Sequence, residues 1–262
     1  AISATNSDGS ARIIAQEYGV AAINTGTGST QIEVDRVDAY NQQAIRVENG
    51  ANTDALSIQV NNRVASAFGT GIYASHEGSG DARITGATAS SVGGANVGLD
   101  VRNSGNGATI IDVNDVSGRD DAAIFVRGGA TTTDLSITTS GTVRSTSGDG
   151  IRADHAGTGD LTINATNADG TAQVTAYGYG IRARHTGSGA IAITADNVTA
   201  TDEDAIFANG GASTTSLTVT ASGAIVSTNE DGIDARHSGS GDLIVAASTA
   251  EVTGGERGIY AS

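Results

Sequence analysis

The sequence predicts an all-β chain wound as a three-sided parallel β-helix, a solenoid with about 26 residues in each coil. Three observations lead to this fold class. Aliphatic residues recur at a nearly constant interval, they alternate with polar residues inside short segments, and the 262-residue chain has 37 glycines and no proline. Proline lacks the N–H that a sheet ladder uses, so its absence over this length is typical of a backbone paired almost throughout.

The repeat begins at an aliphatic residue that follows glycine or alanine. These coil-start residues are Val20, Ile45, Ile72, Leu99, Ile124, Ile151, Ile181, Ile206, Ile233 and Ile259. The differences between their successive numbers are 25, 27, 27, 25, 27, 30, 25, 27 and 26. The pair 25 and 27 returns every third coil, which predicts a three-coil super-repeat of about 80 residues. Segments 4–20 and 165–181 match without a gap and indicate duplication.

Each coil is predicted to contain three short strands. In the first, "GIRADH" (150–155), Ile151 points to one side and Arg152 to the other, as successive strand residues must. A second strand follows, such as "LTI" (161–163), and then a third apolar position, such as Val198. Ten coil starts at about 4.8 Å spacing predict a rod roughly 45 Å long.

We expect residues 1–262 to form one β-helix domain without an internal boundary, because each coil buries its faces only against its neighbours. The sequence stops just after a first strand, so we also expect the chain to be a fragment of a longer protein. Its formal net charge of −15 argues against nucleic acid as a partner. No apolar run approaches the ~18 residues of a membrane span, so no membrane insertion is expected. The absence of cysteine excludes disulfides and thiol chemistry.

The segment "GIDARHSGSGDL" (232–243) returns at 71–82, 150–161 and 180–191, and its histidine resembles a catalytic group. At the equivalent position, however, other coils carry asparagine or glycine, which a catalytic or metal-ligating histidine would not tolerate. Asparagine, histidine and glycine all accept a left-handed backbone, so we predict a structural turn column. Its members are Asn24, Asn49, His76, Asn103, His155, His185 and His237. No catalytic residue, metal site or cofactor is predicted.

Two outward columns follow each coil-start residue and combine aromatic side chains with arginine. Arginine and tyrosine are enriched at binding hot spots, which makes these columns the candidate ligand-binding face. The candidates are Tyr73, Arg102, Phe125, Arg127, Arg152, Arg182, Arg184, Phe207 and Arg236. The alternative interpretation is a structural ladder in which stacked rings and charges support the sheet.

An acidic bend precedes the same strand in several coils. Its carboxylates are Asp149, Glu203, Asp204, Glu230, Asp231 and Glu256. Stacked carboxylates repel one another, and a divalent cation would relieve that repulsion. A hydrated acidic rim that keeps the rod soluble is the favoured interpretation.

Enzymatic chemistry finds weak support, and the chain is predicted not to be an enzyme. A P-loop is impossible because all 14 basic residues are arginine. Asp154 with Arg152 and Arg182 loosely fits a polysaccharide lyase, but the same residues fit ordinary ion pairs between coils. A polysaccharide lyase or hydrolase therefore stays as the least favoured alternative.

Copies of "GIxAxHxGSGDLxI" in a chain without cysteine or proline, rich in Gly, Ser, Thr and Ala and acidic, resemble the passenger of a type V autotransporter from a Gram-negative bacterium. The resemblance implies a right-handed β-helix and export through the protein's own C-terminal translocator β-barrel. It also implies a place on the bacterial cell surface or in the secreted fraction. The expected function is that of an adhesin or virulence factor whose partner is a host-cell glycan or protein receptor. A purely structural stalk or surface-layer element is the alternative.

Overall fold

The computed structural model describes residues 1–247 and 251–262, and in this part of the chain strands are the only regular structure. The first fourteen are β1 (Ile2–Ala4), β2 (Arg12–Ala15), β3 (Val20–Asn24), β4 (Gly28–Ala39), β5 (Ile45–Asn49), β6 (Thr53–Ser66), β7 (Ile72–His76), β8 (Ala82–Gly86), β9 (Ser91–Gly93), β10 (Leu99–Asn103), β11 (Thr109–Val113), β12 (Asp115–Gly118), β13 (Ile124–Gly128) and β14 (Leu135–Thr139). The others are β15 (Thr142–Ser145), β16 (Ile151–His155), β17 (Leu161–Ala165), β18 (Gln173–Ala176), β19 (Ile181–His185), β20 (Ile191–Ala195), β21 (Asn197–Ala200), β22 (Ile206–Gly210), β23 (Leu217–Ala221), β24 (Ile225–Ser227), β25 (Ile233–His237), β26 (Leu243–Ala246), β27 (Val252–Thr253) and β28 (Ile259–Ala261).

Every coil has three strand positions, which define three faces of the solenoid, and all strand pairs are parallel. Face one contains β3, β5, β7, β10, β13, β16, β19, β22, β25 and β28. Face two contains β1, the first halves of β4 and β6, and then β8, β11, β14, β17, β20, β23 and β26. Face three contains β2, the second halves of β4 and β6, and then β9, β12, β15, β18, β21, β24 and β27. The prediction of a three-sided parallel solenoid is confirmed.

The ten predicted coil-start residues are the first residues of the ten strands of face one. They pair directly with one another from coil to coil, so that Ile151 lies between Ile124 and Ile181. Faces two and three belong to a single hydrogen-bonded sheet because β4 and β6 continue through the corner between them. A shift of register between Val34 and Arg36 marks that corner.

The core is a stack of aliphatic side chains that runs along the inside of the solenoid. Ile151, Ile163 and Val143 come from three different faces and are fully buried. Each buried isoleucine removes enough apolar surface from water to stabilise the fold by about 1.5–3 kcal/mol. Gly150 precedes β16 because a Cβ there would lie 2.5 Å from the carbonyl oxygen of Gly180 in the next coil. Small residues before face one therefore allow the coils to approach closely.

Side-chain hydrogen bonds confirm the three-coil super-repeat. The hydroxyl groups of Thr53, Thr132 and Thr214 are buried, and each donates to a glycine carbonyl three residues earlier at 2.7 Å. These threonines recur at intervals of about 80 residues, the length predicted for the super-repeat. The same corner is therefore built once in every third coil.

The duplication of segments 4–20 and 165–181 is also visible in the structure. Gly9 and Gly170 have positive φ angles of 70° and 67°. The preceding asparagines accept matching bonds, from the Ser10 N–H to Asn6 at 2.7 Å and from the Thr171 N–H to Asn167 at 2.8 Å. No helix in residues 1–247 or 251–262 has the length and apolarity that a membrane crossing requires.

Candidate functional site

The predicted turn column lies inside the solenoid, and its predicted left-handed backbone is wrong. Its residues close the strands of face one with their side chains turned towards the core, and His76, His155 and His185 are buried. Within the described residues, positive φ occurs only at Gly9, Gly28 and Gly170. The physical reason is the period of two: the fifth residue of a strand shares its side with the first and third.

Side chains of this column hold the corner between faces one and two. The Asn103 amide donates to the Gly107 carbonyl at 3.2 Å and accepts the Gly105 N–H at 2.9 Å. The His76 Nε2 atom contacts the Gly80 carbonyl oxygen at 2.9 Å in the same way. The Gly-x-Gly segment that follows is therefore tied to the strand by a polar side chain lying beneath it. This contact satisfies backbone groups that the bend leaves without a ladder partner.

His155 and His185 stack inside adjacent coils with ring centroids 4.6 Å apart. Within the described residues neither ring nitrogen of His155 has a hydrogen-bond partner, and burial followed by the proximity of His185 lowers its pKa to about 4. In the preceding coil the column has Gly128, where a Cβ would lie 2.4 Å from His155 Nδ1. Glycine therefore makes room for the imidazole, and the exchange of histidine and glycine along the column follows from packing.

The structure places the nine candidate ligand-binding residues in two adjacent outward lanes of face one. Tyr73, Phe125, Arg152, Arg182 and Phe207 share one lane, with Asp100 between Tyr73 and Phe125. The other four, Arg102, Arg127, Arg184 and Arg236, share the neighbouring lane with Asp154 and Asn209.

Guanidinium groups cover most of the aromatic rings in these lanes. Phe125 has Arg152 at 4.9 Å from its ring centroid, Arg127 at 5.4 Å and Arg102 at 5.9 Å. Phe207 is only 5% exposed, and its ring contacts Arg184 and Arg236 at 5.5 and 5.6 Å. Such cation–π contacts stabilise the ladder and leave little ring surface for a ligand.

Most arginines of face one also have a carboxylate partner. Arg102 pairs with Asp100 at 2.9 Å, Arg152 with Asp154 at 3.3 Å, and Arg182 with Asp149 at 3.9 Å. The last two pairs include the three residues that loosely fit a lyase site, Arg152, Asp154 and Arg182. Arg152 and Asp154 bond to each other within one strand, whereas Arg182 reaches back to the corner of the preceding coil.

Arg127 and Arg184 are different, because neither has an ion pair with any carboxylate in the described residues. Both are exposed, and they flank Asp154 in the same lane. With Gly128, Gly129 and Thr186 they line a cleft of about 420 Å³. The structure thus brings two of the nine candidates together at a concave surface, with Asp154 between them in its lining.

Two residues of the acidic bends, Asp204 and Asp231, form a compact cluster with Asp234 of face one. Carboxylate oxygens of the buried Asp204, Asp231 and Asp234 lie within 4.8 Å of one another. Arg257 binds Asp231 through two hydrogen bonds of 2.9 and 2.7 Å, and Arg236 binds Asp234 in the same two-pronged manner. Burial, and then repulsion from Asp234 and Asp231, raises the pKa of Asp204 to about 6. Arg236, Arg257 and the raised pKa of Asp204 thus reduce the repulsion among the three carboxylates.

The sequence interpretation missed a second arginine cluster, on face three. Arg12, Arg36 and Arg63 stack in register in the first three coils and surround Asp38. Each comes directly before an inward-facing aliphatic residue, as Arg36 comes before Val37. This shared position in the sequence predicts that the three arginines point outward on one face. Burial raises the pKa of Asp38, but hydrogen bonds from Arg36 and Arg12 outweigh it and hold that pKa below its ordinary value.

The architecture defines the chain as a parallel β-solenoid of about ten coils. No protein-family model, no curated protein and no solved structure matches its sequence or fold.

Proposed function

We propose that the chain is a rod-like segment of a bacterial surface passenger that acts as an adhesin and binds a host glycan or protein through face one. The parallel solenoid supports the rod, and the repeat motif supports the resemblance to autotransporter passengers. In this proposal the protein is non-enzymatic, is displayed on the cell surface or secreted, and leaves the cell through its own C-terminal translocator barrel.

The cleft between Arg127 and Arg184 carries the binding part of the proposal. Its two guanidinium groups point outward beside the floor made by Gly128 and Gly129, and neither has a carboxylate partner among the described residues. A guanidinium has five N–H donors in a planar fork, which suits carboxylates, sulfates and sugar hydroxyl groups. Concave surfaces with a few converging polar groups are the usual form of a binding site.

A purely structural stalk is the second candidate, and the cation–π ladder favours it. Phe125 and Phe207 are each in contact with at least two guanidinium groups, so these rings already have partners within the protein. A surface that satisfies its own rings and charges needs no ligand. The two candidates therefore differ in whether the Arg127–Arg184 cleft binds anything.

The test is a glycan and matrix-protein array probed with the chain and with the double variant Arg127→Ala/Arg184→Ala. The matched control is Arg83→Ala/Arg119→Ala, which removes the same charge from two exposed arginines outside face one. Far-UV circular dichroism checks that each variant keeps its β structure. The proposal expects specific binding by the chain and the control, with at least a tenfold loss in the cleft variant.

Binding that survives equally in the cleft variant contradicts face one as the adhesive surface. The absence of any bound glycan or protein for the unmodified chain supports the stalk. Release of unsaturated sugar from an acidic polysaccharide would instead favour the lyase.

A further inference from the structure

The cluster on face three concentrates positive charge in a strongly acidic protein. Asp38 accepts hydrogen bonds from Arg12 Nε at 2.8 Å and from Arg36 Nε at 3.0 Å, and it also pairs with Arg63. Three guanidinium groups around one carboxylate leave a local charge of +2. The net charge of the whole chain is −15.

Most hydrogen-bond donors of this cluster are unused. Each guanidinium has five N–H donors. The described contacts use one donor from each of Arg12, Arg36 and Arg63, all of them on Asp38. The three side chains are 46%, 40% and 42% exposed, whereas Asp38 is largely covered by them. The carboxylate therefore positions three guanidinium forks at the surface and leaves their outer edges available.

An exposed aromatic pair adjoins the cluster and supplies a second, independent observation. Tyr40 and Phe68 are 51% and 54% exposed, and their rings meet edge to face with centroids 4.9 Å apart. Unlike the rings of face one, neither has a guanidinium group over it within the described residues. Tyr40 lines the same hollow of about 340 Å³ as Arg12 and Arg63. Exposed rings next to cations form a platform on which a sugar ring can lie.

The hollow continues along the rod axis as a groove. A second hollow of about 290 Å³ shares Arg63 and Ala65 with the first and runs over Gly93 and Ser117 to Arg144. Asp115 also lines it, and its carboxylate accepts the Thr142 N–H at 2.7 Å. Ala65, Gly93, Ser117 and Arg144 occupy one register lane, so small side chains floor the groove between the cluster and Arg144. Three coil steps separate Arg63 from Arg144, a distance of about 14 Å.

We propose that face three binds a linear acidic polysaccharide, with its sulfate or carboxylate groups on Arg12, Arg36 and Arg63 and its chain along the groove towards Arg144. Guanidinium groups bind planar and tetrahedral oxyanions through paired hydrogen bonds. The aromatic pair and the hydroxyl-bearing floor suit sugar rings rather than an isolated anion. This site lies on a different face from the Arg127–Arg184 cleft and does not depend on it.

The acidic character of the rest of the chain does not prevent such binding. The Debye length at physiological ionic strength is about 8 Å, so remote carboxylates are largely screened while contacts within the groove are not. Binding should consequently weaken as salt is added, because its electrostatic part is local and exposed.

The experiment titrates a fluorescent heparin-derived hexasaccharide into the whole chain and measures anisotropy, with maltohexaose as the uncharged probe. We expect saturable binding of the sulfated probe and none of maltohexaose. Arg63→Gln should weaken binding about tenfold, and the triple variant Arg12→Gln/Arg36→Gln/Arg63→Gln should abolish it. Tyr40→Ala should weaken it several-fold without changing the charge.

Arg83→Gln is the matched control, since it removes one exposed arginine from β8 on face two. Arg127→Ala/Arg184→Ala should also retain binding, which separates this site from the proposed adhesive cleft. If the triple variant fails to fold, the loss of binding in Arg63→Gln and the salt dependence of binding by the unmodified chain still test the proposal. Equal losses in Arg63→Gln and Arg83→Gln, or no binding by the unmodified chain, overturn the proposal. If free sulfate binds as tightly as the hexasaccharide, the proposal of a polysaccharide ligand is overturned and the cluster is a simple oxyanion site.

Discussion

Face one and the first three coils of face three use the same residue types in opposite ways. Along face one, Phe125 and Phe207 are in contact with guanidinium groups and Arg102 and Arg152 pair with aspartates. On face three, three arginines share the single carboxylate of Asp38. No guanidinium group of residues 1–247 or 251–262 lies over the rings of Tyr40 and Phe68 beside them.

The difference shows that an arginine and aromatic column does not by itself identify a binding surface. What decides is whether the N–H donors and the ring faces already have partners within the protein. Internally partnered groups stabilise the rod, because their contacts form on folding. Groups with unused donors and bare rings are available to a ligand, and they contribute little to stability.

The largest expected effect separates the two kinds of aromatic residue. Phe207→Ala should lower the free energy of unfolding by about 3 kcal/mol, because it removes a buried ring from contact with Tyr179 and two arginines. Phe68→Ala removes a ring that is half exposed and should cost less than about 1 kcal/mol. Urea unfolding followed by circular dichroism measures both. Equal losses would mean that the two surfaces do not differ in the way described.

A second prediction concerns the inner side of face one, where His155 is buried and has no hydrogen-bond partner in the part of the chain that the structure describes. Its pKa is about 4 in the folded chain and about 6.5 when unfolded. As pH falls from 6.5 towards 4 the unfolded chain takes up the proton first, so this group lowers stability over that window. The loss approaches about 3 kcal/mol at pH 4 and is absent at neutral pH.

Asp204 acts in the opposite direction over a similar range. Its raised pKa of about 6 means that the folded chain binds the proton first, so stability from this group rises as pH falls from 6 towards 3.8. The His155→Asn variant isolates the histidine, because Asn103 occupies the same column position. The unmodified chain should lose stability relative to this variant between pH 6.5 and 4. A constant difference across that range would show that His155 titrates normally.

The smallest expected effect compares one arginine from each surface. Arg152→Gln removes an ion pair to Asp154 and a cation contact with Phe125, and should cost about 1 kcal/mol. Arg63→Gln leaves Asp38 with two arginines and relieves repulsion among three cations, so its effect should lie within about 0.5 kcal/mol of zero. Thermal unfolding of the two variants measures the difference. A larger loss for Arg63→Gln would make the face-three cluster a structural element.

The sequence predicted the coils well because packing imposes a simple rule on them. A residue such as Ile151 must stack between its equivalents in adjacent coils, so aliphatic residues recur at the first position of every face-one strand. The alternation of side chains along a strand also predicts that His155 points inward, because it lies four residues after Ile151 and therefore on the same side of the strand. The tolerance of glycine and asparagine for a left-handed backbone predicted a turn conformation that the column does not adopt.

The binding surfaces were harder to predict. Arg36 is two residues from Asp38, but Arg12 and Arg63 lie 26 and 25 residues from it in the adjacent coils, and nothing local in the sequence links those two arginines to this carboxylate. Their convergence depends on the coil register at the corner after Val34 and on side-chain rotamers. The cleft at Arg127 and Arg184 was only partly visible, because sequence spacing does not show which arginines find a carboxylate.

The most direct test of the account is the side-chain NMR spectrum of the arginine Nη–H groups, where Arg12 and Arg36 have their unused donors, during titration with the sulfated hexasaccharide. The account predicts large shifts at Arg12, Arg36 and Arg63 and unchanged signals from the internally paired Arg102, Arg152 and Arg236. Shifts at these three paired arginines, with the face-three cluster unmoved, would contradict the claim that unused donors mark the binding surface.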